Sequence, residues 1–388
     1  MDLSYILNHL GEERERYYGA VVPPIVQSSI FAFPTVASMR TGFADEYGHH
    51  VYTRGNNPTV SILRKKLAAL EGAEDALVLS SGAAAIAAGV MVNLRSGDHV
   101  VCVARPYSWT RSLLRDLLPK LGVSTTFVDG TDVARFEVAL TSATKLIVLE
   151  SPNSMTFEQQ DLAAVAKLAR SRGIRTLCDN SHASPLNQSP IALGIDLVAH
   201  SATKYLNGHS DVVAGVLCGS ESLLRDVFRG PYMTLGVVPS PHDAWLLLRG
   251  LRTLAVRMEH VAVTTEQVLA FVERHPKVRR VYAPFASANP QFELSKRQLR
   301  AASGMLTLDL DVEDVATVEL FCDSLQRFLM SVSWGGYESL AFPVCAVFPP
   351  SASLRPSRGL PLSLVRLSIG LEDADVLIAD IEQALARI

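Results

Sequence analysis

The sequence predicts an α/β protein: a mostly parallel sheet covered by helices on both faces, followed by a smaller α+β C-terminal domain. Three observations point there. Between Asn57 and about Gly219, strand-like apolar runs alternate with helical segments, the pattern of crossover connections in a parallel sheet. After roughly Pro241 the texture changes to a long helical stretch and two short β-rich pieces. The 388 residues are enough for two packed domains with ample cores.

Residues 1–50 read as an arm with little core of its own. Asn57 caps a helix that Pro58 opens and Gly72 ends, with Val60, Leu63, Leu67 and Leu70 as its apolar stripe. Strands are expected at Ala76–Leu79, His99–Ala104, Thr125–Val128, Leu146–Leu149, Thr176–Cys178 and Asp196–Ala199. Helical segments between them include Gly82–Leu94, Trp109–Leu121 and Asp161–Ser171. The expected division is an arm at 1–50, a large domain at 51–241 and a small domain at 242–388. The last opens on the helical stretch His242–His275 and carries β pieces at Met305–Leu310 and Val365–Ile369. Ser351–Pro361, rich in Pro, Ser and Arg, reads as a surface loop.

Composition excludes several classes. Hydrophobic residues at 48% and charged residues at 19% describe a compact globular enzyme. A net charge of −3 without a polybasic run speaks against nucleic acid and anionic membrane as partners. No apolar run approaches the roughly 20 residues of a membrane span, and the charged N-terminus does not resemble a signal peptide; the expected location is cytoplasmic. The five cysteines are scattered and never spaced CxxC, so they read as buried small hydrophobes and not as disulfides or metal ligands. Neither GxGxxG nor GxxxxGK is present, which removes the main support for a nucleotide site.

The segment DLVAHSATKYLNGHSDVV, Asp196–Val213, carries the most chemistry. A buried strand feeds into His200–Ser201–Ala202–Thr203–Lys204, where hydroxyls surround one lysine. A desolvated lysine amine forms a Schiff base with an aldehyde, and Ser201 and Thr203 could bind a phosphate on the same ligand. Pyridoxal phosphate joins the two groups in one small molecule. Ser81–Gly82–Ala83, between the strand DALVL and the helix AAAIAAGVMV, is a strand-to-helix turn whose free amides suit a phosphate. Asp179 follows a buried strand, where a carboxylate needs a partner.

SATKYLNGHSDVVAG resembles the cofactor-lysine segment of the Cys/Met-metabolism pyridoxal-phosphate enzymes, and the similarity runs from about Val21 to the C-terminus. That resemblance implies the fold type I, PLP-dependent transferase-like architecture. It implies that Lys204 holds the cofactor, that Asp179 pairs with the pyridine nitrogen, and that Ser181 lies beside the ring. Asn153, in ESPNS, would bond the phenolic oxygen, and Tyr107 would stack on the ring and act on protons. Tyr52 and Arg54, in VYTRGNNPT, would reach the cofactor phosphate of a neighbouring subunit, within a homotetramer built from dimers. Arg366, in SLVRLSIGLED, would clamp the carboxylate of a small amino-acid substrate, near Ser333 and Trp334.

On reaction type the motifs divide. WGGYESL is similar to bacterial cystathionine β-lyases, and Val332 replaces the Glu of cystathionine γ enzymes. PPIVQSSIFAF and YTRGNNPT are closer to the γ branch. The expected activity is therefore β-elimination from a sulfur amino acid, giving pyruvate, ammonia and a thiol. The alternatives are γ-elimination or γ-replacement, as in methionine γ-lyase, and a non-catalytic cofactor-binding homologue. Trp109 and Arg111 have no counterpart in these branches. Arg111 either meets the substrate's distal group or lies on the exposed face of its helix.

Overall fold

The computed structural model describes residues 1–349, 352–355 and 359–388. Ser351 and residues 356–358 of the expected surface loop lie outside the described residues. The chain forms two compact units. The first comprises Met1–Ser151, Gln160–Asn207 and Asp211–Thr253; the second comprises Leu254–Ile388 with two excursions, Pro152–Gln159 and Gly208–Ser210. Residues 1–50 belong to the first unit.

In the first unit, β1 (Asp75–Leu79), β2 (His99–Val103), β3 (Ser124–Val128), β4 (Thr144–Glu150), β5 (Arg175–Asp179), β6 (Leu197–Ser201) and β7 (Gly215–Gly219) form one sheet. The order is β1-β7-β6-β5-β4-β2-β3. Only β7 runs antiparallel to its neighbours β1 and β6; the other pairs are parallel. The carboxyl ends of β1, β2, β4, β5 and β6 therefore share one edge, where open α/β sheets bind ligands.

Strand β7 is absent from the sequence expectation, because the glycines bounding GVLCG read as breakers. Both are needed: a Cβ at Gly215 would lie 2.0 Å from the Ser81 carbonyl oxygen, and one at Gly219 would lie 2.9 Å from that of Asp196.

Helices α1 (Pro58–Glu71), α2 (Gly82–Met91), α3 (Ser108–Ser112) and α4 (Leu162–Ser171) follow the expected order. The Asn57 side chain accepts from the Thr59 amide at 2.9 Å, and Gly72 closes α1 at φ 73°. Past α3 the backbone continues as a π turn (Leu113–Leu117) and a 3₁₀ turn (Leu118–Leu121) that contains Pro119. The helical stretch at 242–275 divides into α5 (Pro241–Leu251) and α6 (Leu254–Val272).

The second unit holds β8 (Val278–Tyr282), β9 (Met305–Leu310), β10 (Leu329–Met330), β11 (Leu340–Pro343) and β12 (Leu364–Ser368), ordered β10-β11-β12-β9-β8. Helices α7 (Val315–Ser324) and α8 (Ala374–Leu385) belong to the same unit. Its core gathers Val268, Leu308, Phe321, Leu367, Leu377 and Ile381, each worth about 1.5–3 kcal/mol on burial. All five cysteine thiols are free and buried. Among the described residues no helix is long and apolar enough to cross a membrane, and no cluster of His, Cys, Asp or Glu could hold a metal ion.

Candidate active site

The first unit brings most of the expected residues to one sheet edge. Ser81 caps α2, its hydroxyl accepting from the Ala84 amide at 3.1 Å. The amides of Gly82 and Ala83 have no partner among the described residues, and they point from the positive end of α2. Gly82 is required for a close approach: a Cβ there would stand 2.9 Å from the Ser201 Cα and 3.0 Å from its hydroxyl oxygen. Ser201, at the end of β6, thus sits against the turn that opens α2.

Asp179 ends β5, where the Ser181 amide and hydroxyl donate to its Oδ1 at 2.9 and 2.6 Å. The Ser181 oxygen in turn accepts from the Ser201 amide at 2.6 Å. Burial pushes the Asp179 carboxyl up, against the lowering effect of both Ser181 bonds and of the His200 and Lys204 charges. Its Oδ2 has no hydrogen-bond partner among the described residues. This is a carboxylate placed to receive a cation.

Lys204 lies in the turn after β6, half-buried, with its amide donating to the Ser201 carbonyl at 3.0 Å. The Thr203 hydroxyl is bonded to the carbonyl and amide of Ala214 at 3.2 and 3.0 Å. Tyr107 caps α3, and its amide donates to the Glu150 carboxylate. Burial, then the Asp179 and Glu150 charges, push the Tyr107 phenol up, so the hydroxyl keeps its proton at neutral pH.

Two other first-unit predictions have different surroundings. Arg111 is exposed; it donates to the Ala104 carbonyl at 2.8 Å and stacks over Phe127, 5.4 Å from the ring centroid. Arg54 is exposed, stacks on Tyr52 at 5.4 Å, and forms no ion pair among the described residues.

The second unit carries the remaining predictions. The Asn153 Oδ1 accepts from the amides of Met155, Thr156 and Phe157, and its Nδ2 donates to Glu158. Its side chain thus organises its own turn. Arg366 on β12 is 7% exposed and stacks over Phe342. Its guanidinium donates to the carbonyls of Ser154 at 3.1 Å and Val332 at 2.8 Å. Ser333 and Trp334 are half-buried in the loop after β10, whereas Val332 is 73% exposed.

Sequence reasoning missed several supports. Glu150 positions Tyr107 from the end of β4. Asn180 and Gln188 form a buried amide pair at 2.9 Å, and Gln188 ties that pair to the Ser151 carbonyl at 2.6 Å. Only Glu150 left a signal, as a carboxylate ending an apolar run.

A phosphorylated aldehyde suits this donor set. The unpartnered amides of α2 and the Ser201 hydroxyl match the phosphate, Lys204 the aldehyde, and the desolvated Asp179 a ring cation. Comparison with known proteins agrees. The Cys/Met metabolism PLP-dependent enzyme family matches residues 5–386. L-methionine gamma-lyase of Pseudomonas putida is 39% identical over 380 residues, covering 97% of this chain and 95% of the relative. Cystathionine gamma-lyase of Bacillus subtilis is 36% identical over 391 residues, covering all of both chains. The crystal structure of metB from Corynebacterium glutamicum superposes with a TM-score of 0.92 at 34% identity, covering 100% of this chain and 98% of that one. The fold is therefore that of fold type I pyridoxal-phosphate enzymes. The chain belongs to the Cys/Met metabolism family and is a pyridoxal-phosphate-dependent enzyme of lyase and synthase chemistry at carbon–sulfur bonds.

Proposed function

We propose that the enzyme catalyses γ-elimination on a neutral thioether amino acid of the methionine type. It would release a thiol, ammonia and 2-oxobutyrate. The observation that carries this reading is Val332, an apolar side chain 73% exposed beside Ser333 and Trp334, in the place where cystathionine γ enzymes carry a carboxylate. Arg111 adds support, since its guanidinium is occupied by Ala104 and Phe127 and is not needed for a charged distal group. The two relatives named above from Pseudomonas putida and Bacillus subtilis are gamma-lyases. The β-elimination expected from WGGYESL therefore gives way to its γ alternative: Trp334 lies in a loop, and one aromatic substitution there weighs less than similarity along the whole chain.

Bound pyridoxal phosphate supplies the electron sink. The residues of the chain do the rest. Gly82, Ala83 and Ser201 bind the phosphate, Asp179 holds a proton on the ring nitrogen, and Arg366 binds the substrate carboxylate. Lys204 Nζ would take the α-proton and then a proton from the β-carbon as the Cγ–S bond breaks, and return a proton to the γ-carbon; water would complete the release of ammonia and 2-oxobutyrate. Tyr107, kept protonated by burial and by its acidic neighbours, gives its hydroxyl proton to the departing sulfur. Asn153 and Ser181 would steady the ring.

Tyr52 and Arg54 would complete the phosphate site of a second copy, in a dimer or a pair of dimers. Mixing inactive Lys204→Ala and Arg54→Ala chains should then restore part of the activity; no recovery despite subunit exchange would exclude sharing. Reaction type is decided by the product from methionine and from cystathionine. Mainly 2-oxobutyrate is expected, and mainly pyruvate would return the enzyme to β-elimination.

A further inference from the structure

Arg54 stands on a turn whose tip is open and whose base is buried. Tyr52 and Arg54 are exposed, while Gly55 and Asn56 are buried. The amides of Gly55 and Asn56 donate to the Tyr52 carbonyl at 2.8 and 3.2 Å, which closes the turn around Arg54. Two contacts then fix the base, and both lead to Tyr47. The Asn56 Nδ2 donates to the Tyr47 carbonyl at 3.2 Å. Gly55 rests on Phe228, where an added Cβ would lie 3.2 Å from Cζ. The Phe228 ring in turn stands nearly perpendicular to that of Tyr47, with centroids 5.1 Å apart.

Tyr47 itself is held by charge. It is 7% exposed. Its hydroxyl donates to the Asp75 Oδ2, the same oxygen that accepts from the Arg64 Nη2 at 2.8 Å. The guanidinium carbons of Arg64 and Arg225 lie over the ring, 4.6 and 4.4 Å from its centroid, well within the range of cation–π attraction. Burial pushes the phenol up, so it remains a donor to Asp75. Each guanidinium is already matched by carboxylate: Arg64 by Asp75, and Arg225 by Asp45 and Glu221, all at 2.8 Å. The cluster is therefore not an anion site. What it orders is the ring, and through the ring the base of the turn.

We propose that Tyr47 is a positioning residue: its clamped ring and its carbonyl set the shape of the 52–56 turn, and so aim Arg54 at the cofactor phosphate of a second copy. This aim rests on the shared-site role given to Arg54 above; the shape of the turn does not.

The test compares Tyr47→Leu, which removes the ring, with Tyr47→Phe, which keeps it, in the full chain. Hydrogen exchange at the Gly55 and Asn56 amides reports on the turn with no cofactor bound. Tyr47→Leu should speed that exchange severalfold, and Tyr47→Phe should keep most of the protection. Affinity for pyridoxal phosphate should fall about tenfold in Tyr47→Leu, the low end for one charge-assisted hydrogen bond. Affinity for pyridoxal, which lacks the phosphate, should not move, whereas a general loss of structure would weaken both. Adding Tyr47→Leu to Arg54→Ala should cost no further pyridoxal phosphate affinity, because the two changes remove one interaction. Unchanged exchange in Tyr47→Leu overturns the proposal, as do equal losses for the two ligands or a full extra loss in the double variant. Arg54→Ala binding pyridoxal phosphate as tightly as the wild type would instead overturn the shared-site role, and the exchange rates would still decide whether Tyr47 shapes the turn. Should Tyr47→Leu fail to fold, Arg225→Met removes one cation from the ring at a half-buried position; unchanged exchange and phosphate affinity there overturn the proposal.

Discussion

The strand-end cradle of the first unit and the Arg366 region of the second are built on different terms. In the cradle, Asp179, Ser181 and Ser201 hold one another through bonds of 2.6 Å. The backbone there is packed so closely that Gly82 and Gly215 admit no side chain. Arg366 instead leans on two backbone carbonyls and one ring, beside a loop whose Val332 and Tyr337 are 73% and 55% exposed. The first is preorganised for one cofactor. The second is held by bonds to backbone carbonyls beside side chains open to solvent.

The largest effect should come from the cradle. Lys204→Ala should lower turnover by about 10³-fold or more, near the upper range for lost proton transfer. Borohydride reduction of the wild type, read by peptide mapping, should fix the cofactor mass on Lys204, and labelling of another lysine would break the assignment. Asp179→Asn should cost about 10²–10³-fold in kcat, the size of one lost preorganised electrostatic contact.

The same variant has a stability signature. Because burial raises the Asp179 carboxyl above its ordinary value of 3.8, ionising it destabilises the stripped fold. That penalty is absent below the ordinary value and grows as pH rises through the raised one. Asp179→Asn should therefore raise the neutral-pH melting temperature of the stripped protein while weakening cofactor binding, as measured by calorimetry. A lower melting temperature would show that the carboxylate is already compensated.

On the other side of the comparison, Arg366→Gln should lower kcat/KM by about 10–150-fold, the worth of roughly 1.5–3 kcal/mol in charge-assisted hydrogen bonds. Most of this should appear in KM, with cofactor affinity unchanged. A large loss of cofactor would mean that the two regions are not separable. The smallest effect is expected at Arg111. Arg111→Ala should change kcat/KM less than about twofold on neutral or charged substrates, since its cation–π contact, worth about 0.5–1 kcal/mol at an exposed site, lies with Phe127. A selective loss on one substrate would return Arg111 to the distal pocket.

The contrast also explains what the sequence disclosed. Six of the seven large-sheet strands are visible in the sequence; apart from the edge strand β3, whose residues alternate in exposure, burial on both faces leaves a continuous hydrophobic signature. Lys204, Asp179 and Ser81 are visible because each ends or follows such a run. Strand β7 is hidden by glycines whose purpose is tertiary contact. The Thr203 hydroxyl also bonds the carbonyl and amide of Ala214, a contact that no local pattern reports. The engagement of Arg111 with Ala104 and Phe127 is likewise a matter of three-dimensional placement. Strands β8 and β10 are hidden for a plainer reason: β10 has two residues, and β8 carries adjacent exposed arginines that mask its periodicity.

Gly215 bears on how this enzyme can be altered. Its missing Cβ lets a strand backbone rest on the Ser81 carbonyl, so even alanine there would displace the phosphate-facing turn along with the strand. A library confined to residues 331–337 leaves that contact untouched. One that includes position 215 would mostly recover proteins whose strand and turn have shifted together, and would mistake that loss of fold for a limit on substrate range.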